Sequence, residues 1–234
     1  MVAAPQANDT SKAVVVTVTN FRDLPPDEWL RQSFVYFRKI GFFSEFAEAD
    51  VDEACAVITS RRGRPFNPHN PLADLVLLSF DPHSYWRGSM EKCGSRSGAY
   101  AEALAGWSDV SRGSFVATEI VEDYGRDSGK PTLVWFRLEG KRYVLFADHT
   151  SSSLWDDWLD LTVVDQLNII LANRVRQYFL FKQPFDDACV FCLTYFERQS
   201  LKYDRGWRFF FDPDDDENEK DYFRRFGIGE SQSK

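Results

Sequence analysis

The chain has 234 residues, 44% of them hydrophobic, and a net charge of −8. Residues 212–221 hold seven acids against one lysine and so supply −6 of that charge, and no basic footprint remains of the kind phosphate backbones require, which argues against nucleic acid as a direct partner. The apolar run Ala13–Val18 is too short for a signal-peptide core or a membrane span, and four cysteines (Cys55, Cys93, Cys189, Cys192) without an export signal imply reduced thiols, so the expectation is a cytoplasmic protein with neither disulfides nor membrane attachment.

Residues 1–12, small and polar, are expected to form a flexible N-terminus, 13–211 a single α+β domain, and 212–234 an acidic and aromatic C-terminal segment. Within the domain, Val14–Val18 has strand composition. Pro25-Pro26-Asp27 then opens a helix in which Leu30, Phe34 and Phe37 recur at helical spacing, and Gly41 ends it. A second helix runs from about Asp50, with Val51, Ala54, Cys55 and Ile58 on one face, Gly63 as its stop and Arg61, Arg62 and Arg64 complementing its dipole. Asp74–Phe80 is an apolar run of strand length. Gly98–Val110 places Tyr100, Ala103, Leu104 and Trp107 on one helical stripe, and Phe115–Val121 returns to strand composition.

The clearest local signal follows. Thr132–Leu138 and Lys141–Phe146 flank Glu139-Gly140, the pattern of a two-residue β-hairpin. Pairing Leu138 with Lys141 puts Val134, Phe136, Tyr143 and Leu145 on one face and Leu133, Trp135, Val144 and Phe146 on the other. Both faces are apolar, which reads as a pair of central strands. Leu161–Val175 repeats apolar residues at helical spacing, and Gln177–Phe181, Asp187–Tyr195 and Trp207–Phe211 read as strands, with a helical turn around Glu197–Tyr203. Strands gather in the C-terminal half without regular β–α alternation, so the expected class is α+β, a largely antiparallel sheet packed with several helices.

No catalytic, metal or cofactor motif satisfies its context, and none of the three is expected. Cys189-Val-Phe-Cys192 has redox or zinc spacing, yet inside a strand residues three apart point to opposite faces, so buried thiols are the better reading. Gly125-Arg-Asp-Ser-Gly129-Lys130 is one residue short of a phosphate loop and leads into a strand, and Gly94-Ser-Arg-Ser-Gly98 has Arg where a nucleophile elbow needs Ser. Glu139-Gly-Lys141 matches part of a nuclease signature but lies at the hairpin turn. His69, His83 and His149 are dispersed; Asp148, His149 and Ser151–Ser153 are the one grouping from which a hydrolase site could be built. Asp212, Asp214 and Asp216 alternate like calcium ligands without the glycine and glutamate of an EF-hand loop.

Two acidic-aromatic stretches point instead to binding. Asp148–Asp160 contains Trp155, Asp156, Asp157 and Trp158, with the tryptophans suited to either core or interface. Asp214, Asp215 and Asp216 lie between Trp207–Phe211 and Tyr222, Phe223 and Phe226. Rings anchor and carboxylates steer, so these seven residues, Trp155 to Trp158 and Asp214 to Asp216, are the candidate partner-binding set.

The segments LADLVLLSFDPHSYW (Leu72–Trp86), GAYAEALAGWSDVSRGSF (Gly98–Phe115), LDLTVVDQLNIILA (Leu159–Ala172) and CLTYFERQSLKYDRGWRF (Cys192–Phe209) together resemble bacterial immunity proteins, small cytosolic proteins encoded beside polymorphic or contact-dependent toxins. The resemblance covers most of the chain from about residue 30 and assigns no individual site. It implies a non-enzymatic inhibitor that occludes the active site of a cognate toxin, and a basic nuclease would suit so acidic an inhibitor. The alternatives are a hydrolase around Asp148 and His149, and a regulatory module holding a small ligand between sheet and helices.

Overall fold

The structure, a computed structural model, describes residues 21, 24–60, 66–70, 72–89, 96–125, 130–147, 160, 162–181 and 187–210. The expected strand at Val14–Val18, the stop at Gly63 and the arginines at 61, 62 and 64 lie outside them. Proline at the first helical position, where a missing N–H is harmless, and Asp27 and Glu28 in the first turn open α1 (Pro26–Lys39), which buries Trp29, Leu30, Phe34 and Phe37. α2 (Glu48–Ser60) buries the four residues expected of it.

α3 (Ala73–Leu78) replaces the strand-length reading of Asp74–Phe80. Asn70 accepts the Leu72 N–H on its side chain and the Ala73 N–H on its carbonyl, both at 2.9 Å, and this starts a helical turn that buries Ala73, Leu75, Leu77 and Leu78. So short an apolar run does not reveal its period.

A strand not foreseen from sequence follows, β1 (Trp86–Ser89). Then come α4 (Ala99–Asp109), with the expected buried stripe, and the strands β2 (Thr118–Asp123), β3 (Thr132–Leu138) and β4 (Lys141–Ala147). α5 (Thr162–Ile170) is shorter than the Leu161–Val175 pattern. The chain turns at Leu171, whose carbonyl accepts the Arg174 N–H at 2.8 Å, and Val175 is exposed. β5 (Arg176–Leu180) and β6 (Asp187–Thr194) match expectation, whereas the helical turn near Glu197 is a full helix, α6 (Tyr195–Arg205). Beyond it, the strand expected at Trp207–Phe211 is, within the described residues, a single bridge from Phe209 to Phe181; Trp207 and Phe209 serve as core anchors rather than ladder members.

The elements make an α+β fold with two three-stranded antiparallel sheets, ordered β1-β6-β5 and β2-β3-β4. β6 is the middle strand of the first. Its Cys189, Phe191 and Leu193 enter a core shared with α1, α2, α3 and α6, while Ala188, Val190 and Cys192 enter a second core shared with α4, α5 and the second sheet. The two cysteines of the C-x-x-C spacing therefore sit in different cores, as the period of two requires. Burial pushes the Cys192 thiol up. In a Cys55→Ser/Cys93→Ser background, neither Cys189 nor Cys192 should react with an aromatic disulfide reagent until the protein unfolds; native-state titration of one thiol would contradict that burial.

The hairpin has the expected register, Leu138 opposite Lys141, with Glu139 and Gly140 both at positive φ as such a tight turn demands. The reading of both strands as central needs correction. Among the described residues β3 is central, but β4 is an edge strand, and described elements cover one face of the second sheet. α5 stands between the free edges of β4 and β5 and mimics a strand to each: the Gln166 amide bonds both the N–H and the C=O of Phe146, and the Asn168 amide does the same for Tyr178. Among the described residues no helix is long and apolar enough to cross a membrane.

Candidate functional site

The partner-binding candidates Trp155, Asp156, Asp157, Trp158, Asp214, Asp215 and Asp216, and the hydrolase candidates Asp148, His149 and Ser151–Ser153, lie outside the described residues. Glu139 of the partial nuclease signature is at the hairpin turn and pairs with Arg174 at 2.5 Å. Among the described residues no three His, Cys, Asp or Glu side chains gather as metal ligands would.

What the described residues do form is a cleft of about 820 Å³, walled by four separate segments: the α1–α2 connection, the outer side of α2, the α3–β1 loop and the end of α4 with its following turn. Its floor is apolar, from Phe46, Ala54, Val57 and Phe80. Five carboxylates line it: Glu45, Asp50, Glu53, Asp81 and Asp109.

Two of these acids have structural duties. Asp50 accepts the Ala47 N–H at 2.6 Å and starts α2, and Asp81 accepts the N–H of His83 at 3.0 Å and of Phe43 at 2.8 Å. The bond from Phe43 helps hold that residue at φ +52, a conformation side chains avoid. Glu45, Glu53 and Asp109 make no such bond among the described residues. Asp109 also occupies the last turn of α4, where the helix dipole disfavours a carboxylate and no basic residue offsets it. Local stability does not account for its placement.

The guanidinium of Arg112, which also lines the cleft, is engaged inward, and of the cleft acids Asp81 is the one that interacts with its charge. Arg112, at φ +52, sends its guanidinium under the α1–α2 connection. Nη1 donates to the Gly41 carbonyl at 2.8 Å and to Glu197 at 3.1 Å, Nη2 donates to the Cys192 carbonyl at 3.0 Å, and the Phe42 ring centroid lies 4.8 Å away. Glu197 in turn receives both Nη atoms of Arg176, at 2.5 and 3.0 Å, and the Thr194 N–H at 2.7 Å, while its own N–H reaches the Thr194 hydroxyl at 3.1 Å to complete a capping box. Two guanidinium groups share one carboxylate, and the Gly41 and Cys192 carbonyls solvate the surplus positive charge. Burial pushes the Arg112 guanidinium down and Glu197 counters it. Gly41 is obligatory here: its φ is +95, and a Cβ would stand 2.8 Å from Glu197 Oε1.

The cleft is thus a rigid-backed, acid-rimmed recess with an apolar floor, suited to a cationic group on an aliphatic stem. Elsewhere, a void of about 30 Å³ beside Asp165, Asn168 and Tyr178 has room for little more than a water. No family model, curated protein or solved structure matches the chain.

Proposed function

We propose that the chain is an immunity or inhibitor protein that binds and neutralises a cognate bacterial toxin, its acid-lined cleft taking basic side chains from the rim of the toxin's active site. The observation that carries this reading is the 820 Å³ cleft in which Glu45, Glu53 and Asp109, over an apolar floor, are unengaged among the described residues. A carboxylate-rich recess steers a positively charged partner and stands in for the phosphates that a nuclease would bind. The resemblance of the sequence to immunity proteins supports the same reading, and the acidic-aromatic stretches around Asp156–Asp157 and Asp214–Asp216 would extend the contact.

The test is affinity purification of the tagged chain from its native cell with the neighbouring gene product co-expressed, followed by binding kinetics. A one-to-one complex with a toxic neighbour is expected. Glu53→Lys/Asp109→Lys should slow association by about ten-fold or more at low salt and flatten its salt dependence, with folding unchanged because both side chains are exposed. Asp156→Lys/Asp157→Lys should act in the same direction. Unchanged kinetics in both variants would remove these acids from the interface, and turnover that is lost in His149→Ala would favour the hydrolase instead.

The cleft volume favours one further reading, a module for a small cationic ligand, since 820 Å³ lies within the usual range of ligand pockets. Calorimetric titration with spermidine separates the two. Saturable binding abolished by Glu53→Lys/Asp109→Lys supports the small ligand.

A further inference from the structure

Attraction of positive charge needs carboxylates alone, yet the cleft also presents aromatic residues. Phe46 lines it from the α1–α2 connection and Phe80 from the α3–β1 loop, each half-buried against the first core, and Val57 is left 40% exposed on the outer side of α2. Asp50, Glu53, Ala54 and Val57 stand at i, i+3, i+4 and i+7, so α2 gives the cleft one continuous stripe that changes from acidic to apolar along its length.

The two basic side chains use such a surface differently. Lysine carries a compact, strongly hydrated ammonium that keeps its water at an open site. Arginine carries a flat, weakly hydrated guanidinium that lies on a ring face and pairs with a carboxylate in its own plane at the same time. The chain holds its own arginines in this way: Arg112 sits over Phe42 while pairing with Glu197, and Arg205 sits over Phe37 while pairing with Asp74. Phe42 and Phe46 belong to the same connection, so one short segment gives a ring to an internal arginine and a second phenylalanine to the cleft.

The carboxylates bear on where the guanidinium comes from. Asp50 holds the start of α2, and Asp81 bonds Phe43 and His83 and interacts with Arg112, which leaves Glu45, Glu53 and Asp109 unengaged among the described residues. These three lie on three different walls of an 820 Å³ recess, more negative charge and more room than one guanidinium takes up. We infer that the cleft selects arginine over lysine, and that its occupant is a partner segment bearing two or more arginines. Their stems lie along Ala54 and Val57, and their guanidinium groups are set against Phe46 and Phe80 and paired with Glu45, Glu53 and Asp109. This rests on the cleft being the contact surface of the proposed inhibitor and adds the chemistry that surface selects.

Calorimetric titration of the full chain with hexa-arginine, hexa-lysine and agmatine at physiological ionic strength is the test. Hexa-arginine should bind tighter than hexa-lysine, which has the same charge, by about ten-fold or more, the strength of two ring contacts. It should exceed agmatine, a small molecule with a single guanidinium, by at least as much. Phe46→Leu/Phe80→Leu should bring hexa-arginine to the level of hexa-lysine and leave hexa-lysine unchanged, while Glu53→Lys/Asp109→Lys should weaken both peptides and erase the difference between them. The charge variants sit at exposed positions, and the wild-type comparison needs no variant, so the test stands if the phenylalanine variant fails to fold. Equal affinity for the two peptides, or for agmatine and hexa-arginine, overturns the inference and leaves the cleft as a contact for cations in general. A preference for arginine that survives Glu53→Lys/Asp109→Lys belongs to another surface and overturns it too. Binding of none of the three removes the cleft as a cationic contact, and with it the reading on which the inference rests.

Discussion

Replacing Glu197 with alanine should cost about 3–5 kcal/mol of folding stability, the range for deleting one member of a buried ion pair. The Glu197 side chain is 5% exposed, and those of its partners Arg112 and Arg176 are 16% and 20% exposed, so water cannot replace the lost carboxylate. Both guanidinium groups would remain, held together by the Gly41 and Cys192 carbonyls, with like charges and no counter-ion. The Thr194 N–H would lose its carboxylate acceptor as well, while the backbone N–H of residue 197 would still reach the Thr194 hydroxyl, so half of the capping box would remain. Glu197→Gln keeps the shape and one acceptor and should fall between wild type and alanine. Urea unfolding of the three proteins is the measurement. A fall in midpoint at unchanged slope is expected, and an alanine variant within about 1 kcal/mol of wild type would show that the arginines are solvated without the glutamate.

A comparable loss, but one that depends on pH, is expected from Arg205→Ala. The Arg205 side chain is 3% exposed, and its guanidinium lies 4.1–5.1 Å from the ring centroids of Phe21, Tyr36, Phe37 and Trp29. Asp74 is its carboxylate partner at 3.6 Å and accepts the Trp207 Nε1–H at 2.8 Å on its other oxygen. Burial pushes the Asp74 carboxyl above its usual range, and Arg205 and the Trp207 N–H only partly offset that rise. A carboxyl with a raised folded-state pKa contributes stability that is fully present below its unfolded value of about 3.9 and is lost as pH rises through the folded value. Removing Arg205 raises the folded value further and deepens that loss. The deficit of Arg205→Ala against wild type should therefore approach about 3–5 kcal/mol at neutral pH and shrink as pH falls towards 4, where a neutral Asp74 needs no counter-ion. Urea unfolding at several pH values decides it; a deficit constant with pH would mean that Asp74 stays charged throughout.

Local signals carried much of this architecture. α1, α2, α4 and the hairpin were legible because each states its period within a dozen residues and brings its own punctuation, such as Pro26, Gly41 or Glu139-Gly140. α3 and β1 were not, since four to six residues show no period. Thr194 and Glu197 are spaced as a capping box and could have announced α6; what hid it was the aromatic content of Tyr195 and Phe196, which extended the strand reading by one residue. The two apolar faces of β3 and β4 were legible, but their cause was not. Such a pattern arises either in a strand between two cores, which here is β6, or in a sheet of which described elements cover one face, and residue types do not distinguish these. The cleft acids were the least visible. Glu45, Glu53, Asp81 and Asp109 come from four segments, and each is an ordinary surface acid until the fold draws them round one recess.

β6 also determines how the molecule can fail. Its successive residues serve opposite cores in turn, so it is a wall common to both, and a slip of one position would push Phe191 into space shaped for Val190 or Cys192 on one side while leaving a void on the other. Neither core can loosen its grip on the strand without exposing the reverse side of the same strand to the other. The two hydrophobic clusters should consequently behave as one thermodynamic unit and melt in a single calorimetric transition, even though no side chain of β6 belongs to both.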